Sequence, residues 1–119
     1  MKVKMLRTFV PSINFELSKQ FYTELGFKIL WEDDTLCQLG TPEYNFFLQP
    51  HYLKEWAENM MLQLIVEDLD ALYETVLTLK KKYKDIKINP IFTADYGRTF
   101  HLIAPADHNL VMFIGWLFM

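Results

Sequence analysis

Two stretches decide the fold. The first is Pro11-Ser12-Ile13-Asn14-Phe15-Glu16-Leu17-Ser18, running on into Phe21-Tyr22-Thr23-Glu24-Leu25-Gly26-Phe27. The second is Val66-Glu67-Asp68-Leu69-Asp70-Ala71-Leu72-Tyr73. In each, an apolar strand ends, a short polar side chain offers a helix cap, and an amphipathic helix begins. Asn14 caps the first helix, with Glu16 favourably placed in its first turn. Leu17, Phe21 and Leu25 share one face, and Gly26 stops the helix. Asp68 caps the second helix, whose buried stripe is Leu69, Leu72, Val76, Leu79 and Tyr83. Lys80-Lys81-Lys82 sits near its C-terminal end, where cations oppose the helix dipole. That position reads as a solvated helix end rather than a nucleic-acid patch.

Outward from these helices, strands are expected over Val3–Val10, Phe27–Trp31, Thr35–Leu39 and Tyr44–Gln49 in the first half. Asp33-Asp34 and Gly40-Thr41-Pro42-Glu43 supply the turns between them. The segment 51–58 is polar, carries Trp56 and reads as a linker. The order then restarts: Met60–Val66, the second helix, Ile86–Phe92 interrupted by Pro90, Thr99–Ile103 and Leu110–Ile114. Tyr96-Gly97-Arg98 is a turn or bulge, and Ala104–Asn109 another turn. Each half therefore reads strand, helix, then three strands, an α+β pattern. A half is too small to bury its sheet face alone, so one domain over 1–119 is expected, with module one 1–50, linker 51–58 and module two 59–119 sharing a core.

Composition bounds the rest. The 119 residues are 51% hydrophobic and 16% aromatic, with a formal net charge of −3. An acidic chain is not built to hold nucleic acid, whose phosphates need a basic surface. The lone Cys37 leaves no internal disulfide and fits a reducing, cytoplasmic setting. The start, Met1-Lys2-Val3-Lys4-Met5, does not read as a signal peptide, and no apolar run is long enough for a membrane span.

Three segments in order carry a resemblance that covers nearly the whole chain. They are Val10-Pro11-Ser12 to Asn14 with Phe21-Tyr22-x-x-Leu25-Gly26-Phe27, then Glu58-Asn59 to Asp68-Leu69-Asp70-Ala71-Leu72-Tyr73, then Tyr96-Gly97-Arg98-Thr99-Phe100 with Pro105 and Leu110-Val111-Met112-Phe113. The chain resembles the glyoxalase/bleomycin-resistance/extradiol-dioxygenase superfamily, the vicinal-oxygen-chelate proteins, and within it the bleomycin-resistance type. It departs from the family at the first helix cap, Asn14 for the usual Asp. It departs again in the late turn, where Asp107, His108 or Asn109 would have to carry a positive φ usually given to Gly. The resemblance implies two βαβββ modules forming a cupped eight-stranded mixed sheet with a central cleft. It also implies a homodimer whose clefts combine modules from both chains.

In metal-using members the ligands stand on the first and fourth strands of each module. By spacing, those positions here are Arg7 or Thr8, Asn45 or Phe46, Met61, and Val111 or Met112. Guanidinium, phenyl, isopropyl and thioether groups do not suit a hard or borderline divalent ion. The other donors, His51, His101, His108, Glu43 and Gln63, are scattered over different elements. Neither a metal nor another cofactor is expected, and no catalytic residue is assigned. Cys37, between Leu36 and Gln38, reads as a buried inert thiol. What remains is a binding cleft with Trp31, Phe46, Trp56, Gln63, Tyr96, Arg98, His101 and Trp116 as its candidate lining. Arg98 could take an anion or pair with a carboxylate. Glu32, Asp33 and Asp34 could face a cationic drug or simply form a solvated turn. The expected function is metal-free binding of a small molecule, cationic or aromatic, as in drug sequestration. A metal-dependent lyase, isomerase or dioxygenase with a shifted ligand set is the alternative. A dimeric interaction module with a self-filled cleft is a third.

Overall fold

A computed structural model describes residues 1–57, 60–106 and 110–115. The first module contains β1 (Phe9–Pro11), α1 (Phe15–Leu25), β2 (Lys28–Glu32), β3 (Cys37–Gly40) and β4 (Asn45–Gln49). A short helix, α2 (Lys54–Ala57), follows. The second module contains β5 (Met61–Val66), α3 (Leu69–Lys82), β6 (Lys87–Ile88), β7 (Phe92–Ala94), β8 (Gly97–Ile103) and β9 (Leu110–Gly115). The first sheet runs β1-β4-β3-β2 and the second β5-β9-β8-β6, with β7 also paired to β8. The first and last strands of each module lie parallel, β1 on β4 and β5 on β9, and the remaining pairs are antiparallel.

Both helix caps form as the sequence predicts. Asn14 Oδ1 accepts from Leu17 N at 3.1 Å, and Asp68 Oδ1 from Ala71 N at 3.0 Å. Gly26, at φ 130°, ends α1 and donates back to the Tyr22 and Thr23 carbonyls.

Two expectations need correction. The first strand is shorter than Val3–Val10 and includes Pro11. Pro11 is tolerated because β1 lies at the sheet edge, where a missing N–H leaves no ladder bond unmade. The expected strand Ile86–Phe92 divides into β6 and β7 around Pro90. Asn89 bridges the gap, its Oδ1 accepting from His101 N at 2.7 Å while its own N–H reaches the His101 carbonyl at 3.3 Å. In the late turn Ala106 takes a positive φ of 68°. The residues expected to carry it, Asp107, His108 and Asn109, lie outside the described residues, as do Glu58 and Asn59. Each module contributes its own sheet, as the two-module α+β pattern predicts, and the division of the Ile86–Phe92 segment adds β7 to the second.

The core lies between the sheets and their helices. Val10, Cys37, Leu39, Phe46 and Leu48 of the first sheet are buried with Phe21, Tyr22 and Leu25 of α1. Phe100, Leu102, Val111 and Phe113 of the second are buried with Leu69, Val76 and Leu79 of α3. The modules meet helix to helix. Phe21 packs edge-on against Tyr83 with centroids 5.5 Å apart, and Lys82 of α3 forms an ion pair with Glu24 of α1. This seam consumes the helix-facing side of each sheet and leaves the opposite side of each open.

Candidate binding faces on the two sheets

Strand residues alternate faces, so the pairing register fixes what each open side presents. On the first sheet, one row crosses all four strands: Phe9, Phe47, Gln38 and Trp31. Phe9 and Phe47 stack with centroids 5.1 Å apart, and Phe9 and Trp31 are each 48% exposed. Beside this row stand Asn45 and Lys28, both opposite Gly40. The Arg7 guanidinium lies 5.6 Å from the Phe47 ring centre and donates through Nε to Asn45 Oδ1 at 2.6 Å. The same oxygen accepts from Gln38 Nε2 at 3.0 Å, while Asn45 Nδ2 donates to the Thr41 carbonyl at 2.8 Å. Asn45 is thus held in one orientation, and it holds Arg7 beside an aromatic ring.

At the end of this row lies a cavity of about 190 Å³, lined by Phe9, Pro11, Gln49, His51, Tyr52, Leu53 and Met60. It joins the open face to the linker. A larger groove of about 560 Å³ runs between α1 and β2, but it lies on the helix side of the sheet and is floored by Lys19, Glu16 and Glu32. Ion-paired, solvated side chains of that kind offer little to a desolvated ligand.

The open side of the second sheet carries Gln63, Met112 and His101 in one row. Met61, Leu110, Ile103 and Lys87 form the row on one side, and Ile65, Ile114, Thr99 and Phe92 that on the other. Gln63 Nε2 donates to Met112 Sδ at 3.5 Å. The His101 ring meets Phe92 edge-on, centroids 5.6 Å apart, and its Nε2 is buried without a hydrogen-bond partner among the described residues.

The structure brings some of the sequence-derived candidates to these faces and removes others. Trp31, Gln63 and His101 stand on them. Tyr96 lies in the exposed turn between β7 and β8. Trp56 sits on the short helix α2, and Trp116 lies outside the described residues.

Phe46 does not line a cleft: it is 5% exposed and packs edge-on against Tyr22 and Phe27 at 5.2 and 5.5 Å. The neighbouring Phe47 takes the open position instead. Arg98 faces the helix side and forms a two-pronged pair with Asp70, both bonds 2.9 Å. That contact holds the Asp70 carboxyl below its usual range. The acids expected to face a cationic ligand are also engaged elsewhere. Glu32 lies 3.8 Å from Lys19 Nζ, and Asp33 Oδ1 accepts from Thr35 N at 2.9 Å within the turn.

Sequence reading missed Phe9, Phe47 and Arg7 as site residues. A signal for Phe47 exists. Asn45 and Gln49 share its parity while Leu48 shares that of Phe46, so polar alternation places Phe47 on the open side.

At the positions where the resemblance would put metal ligands, Thr8 and Asn45 are the only oxygen donors, both in the first module and too few to complete a ligand set on their own. Arg7 and Asn45 bond to each other, and Phe46 and Val111 are buried on the helix side. Met61 and Met112 offer thioethers, the second already accepting from Gln63. Among the described residues no group of three His, Cys, Asp or Glu side chains converges. Cys37 is fully buried, and burial pushes its thiol up to about 11, with Glu32 adding to the effect. Such a thiol is a poor nucleophile. No described helix is long and apolar enough to cross a membrane.

No protein-family model matches the sequence, and no curated protein sequence matches it. Solved structures do match the fold. A bleomycin-binding protein from bleomycin-producing Streptomyces verticillus, complexed with copper(II)-bleomycin, is 18% identical with TM-score 0.76, over 97% of this chain and 98% of that one. An antibiotic-binding protein from Streptomyces sp. CB03234 is 18% identical with TM-score 0.77, over 97% and 98%. A lactoylglutathione lyase from Agrobacterium tumefaciens is 12% identical with TM-score 0.70, over 95% and 93%. The two-module architecture of this chain is the fold shared by bleomycin-resistance and glyoxalase/bleomycin-resistance structures.

Proposed function

We propose that this is a metal-free binding protein for a small, flat organic molecule, which it captures without breaking a bond. The observation that carries the reading is the aromatic row Phe9, Phe47 and Trp31 on an open sheet face, with a guanidinium–carboxamide pair where a metal enzyme of this fold would need ligands. Aromatic side chains hold planar molecules by stacking, and the few polar groups beside them fix orientation.

We infer further that the working form is a homodimer. Each chain exposes Phe9, Trp31, Met61, Ile65 and Phe92 on its open faces. Clustered apolar exposure on that scale marks an association surface. The helix seam turns the two open faces of one chain away from each other, so a two-walled cleft needs module one of one copy opposite module two of the other. The proteins of this fold solved as bleomycin and antibiotic binders support capture as the activity, and sequestration of a toxic compound is the role that fits it.

Native mass spectrometry of protein purified without chelator tests the whole reading. The expected species is a dimer with metal below about a tenth of an equivalent, a level at which no site is filled. A stoichiometric divalent ion would replace this reading with the metal-dependent lyase, isomerase or dioxygenase alternative. Titration with a bleomycin-type glycopeptide, followed by tryptophan fluorescence, tests that drug class separately.

A further inference from the structure

Charge is segregated between the two sides of each sheet in a way the net charge conceals. The acidic groups Glu16, Glu24, Glu32 and Asp70 lie on the helix side, close to Lys19, Lys82 and Arg98. The strand positions of the open faces carry Lys28 and Lys87 and, among the described residues, no carboxylate, and Arg7 reaches the first of these faces from the chain just before β1. Arg7 is the best placed of the three. Its Nε is spent on Asn45 Oδ1, and its Cζ stands 5.6 Å from the Phe47 ring centre, yet its terminal Nη groups meet no acceptor among the described residues. A second copy docked by the open face of its second sheet would bring Gln63, Met112 and His101, none of which neutralises a guanidinium. A fork of free N–H donors beside a stacking surface, fixed by its third bond, is the arrangement that recognises a planar oxyanion.

We propose that the captured molecule is a flat aromatic bearing a carboxylate or similar oxyanion, and that Arg7 takes the anionic group while the ring lies against the stacked pair Phe9 and Phe47. This inference rests on the binding reading above and narrows it to an anionic ligand.

The test uses three matched probes, 2-naphthoate, 2-naphthamide and 2-naphthylmethylammonium, measured by calorimetry and ligand-observed NMR on the full chain. The carboxylate should bind about tenfold more tightly than the amide, the scale of one charge-assisted hydrogen-bonded contact. The ammonium should bind most weakly. Arg7→Met should bring the carboxylate-to-amide ratio close to one, and Arg7→Lys should leave an intermediate ratio because the charge survives without the fork. Lys81→Met, on the exposed face of α3, should keep the full ratio. Unchanged circular dichroism and melting would show that each variant is folded. Equal binding of the three probes, preference for the ammonium, or a ratio that survives Arg7→Met would overturn the anion assignment while leaving capture of flat molecules standing. Failure of all three probes to bind at millimolar concentration would remove both.

Discussion

Adjacent phenylalanines on β4 give the sharpest check on the register, because they separate stability from binding. Phe46 is 5% exposed and touches Tyr22 and Phe27 edge-on at 5.2 and 5.5 Å. Phe46→Ala leaves a ring-sized void among Tyr22, Phe27 and the buried face of the first sheet. Phe-to-Ala changes in packed cores cost about 3–5 kcal/mol, and the two edge-on ring contacts place this one in the upper half of that range. For a domain of this size that corresponds to a melting point lower by roughly 12–20 °C. Phe47→Ala removes one stacked ring and one guanidinium contact from a half-buried position. Its cost should be about 1 kcal/mol. Urea unfolding followed by tryptophan fluorescence measures both, at one fixed protomer concentration because association adds to apparent stability. Ligand binding should fall in Phe47→Ala, with stability nearly kept. If Phe47→Ala proved the more destabilising of the two, the faces would be inverted and the site description with them.

Three further outcomes follow from the same structure. Gly40→Ala should destabilise by about 2 kcal/mol or more, because φ is 135° and a methyl group would stand 2.3 Å from the Tyr44 carbonyl oxygen, backbone that cannot step aside; urea midpoints decide it. Stability should fall as pH rises from 9 to about 11, since the buried Cys37 thiol stays protonated there in the folded chain while the unfolded thiol ionises from its ordinary value of 9.0. The contribution is complete below the unfolded value, and Cys37→Ala should flatten that part of the profile. Tyr83, pushed by burial and then by Glu24 up to about 12 from 10.0, extends the fall to higher pH. Sedimentation should give a particle of twice the 14.2 kDa chain mass, and Phe9→Glu with Met61→Glu should reduce it to that of one chain by placing charges on both open faces.

Much of the architecture was legible because each signal was local. A cap, an apolar stripe at helical spacing and a terminal glycine lie within a dozen residues of one another, as at Asn14, Phe21 and Gly26, and short-range chemistry sets them. The site was less legible because it depends on register. Phe46 and Phe47 are identical side chains one residue apart, and only their partners across β3 and β1 assign one to the core and the other to the surface. The polar alternation of Asn45 and Gln49 carried that information in weak form. Arg98 illustrates a different loss. Its sequence neighbours, Tyr96 and Gly97, show a strand beginning, but Asp70 lies 28 positions earlier and only the packing of α3 on β8 brings the two together. Arg7 sat in a segment expected to be plain strand, and its partner Asn45 is 38 positions away.

The segregation of charge also explains why an acidic protein can hold an anion. At a distance the chain presents its net charge of −3, which repels an anion, but at physiological ionic strength that field decays over about 8 Å. Within that length of the Phe9–Phe47 stack lies Arg7, 5.6 Å from the Phe47 ring centre and held by Asn45. The acids are drawn to the other side by their own partners, Lys19, Lys82 and Arg98, which also leaves them little potential to project through the sheet. Recognition is then governed by the local donor set. In the proposed dimer, a second copy over the open face would strengthen it, because excluding water lowers the effective dielectric around the guanidinium without bringing a competing carboxylate from the described strands. The same covering would explain the helix-to-helix seam within one chain. By spending the helix sides on cohesion, the fold leaves Phe9, Trp31, Met61 and Ile65 exposed on the other sides, the surfaces that the proposed dimer would bring together around the site.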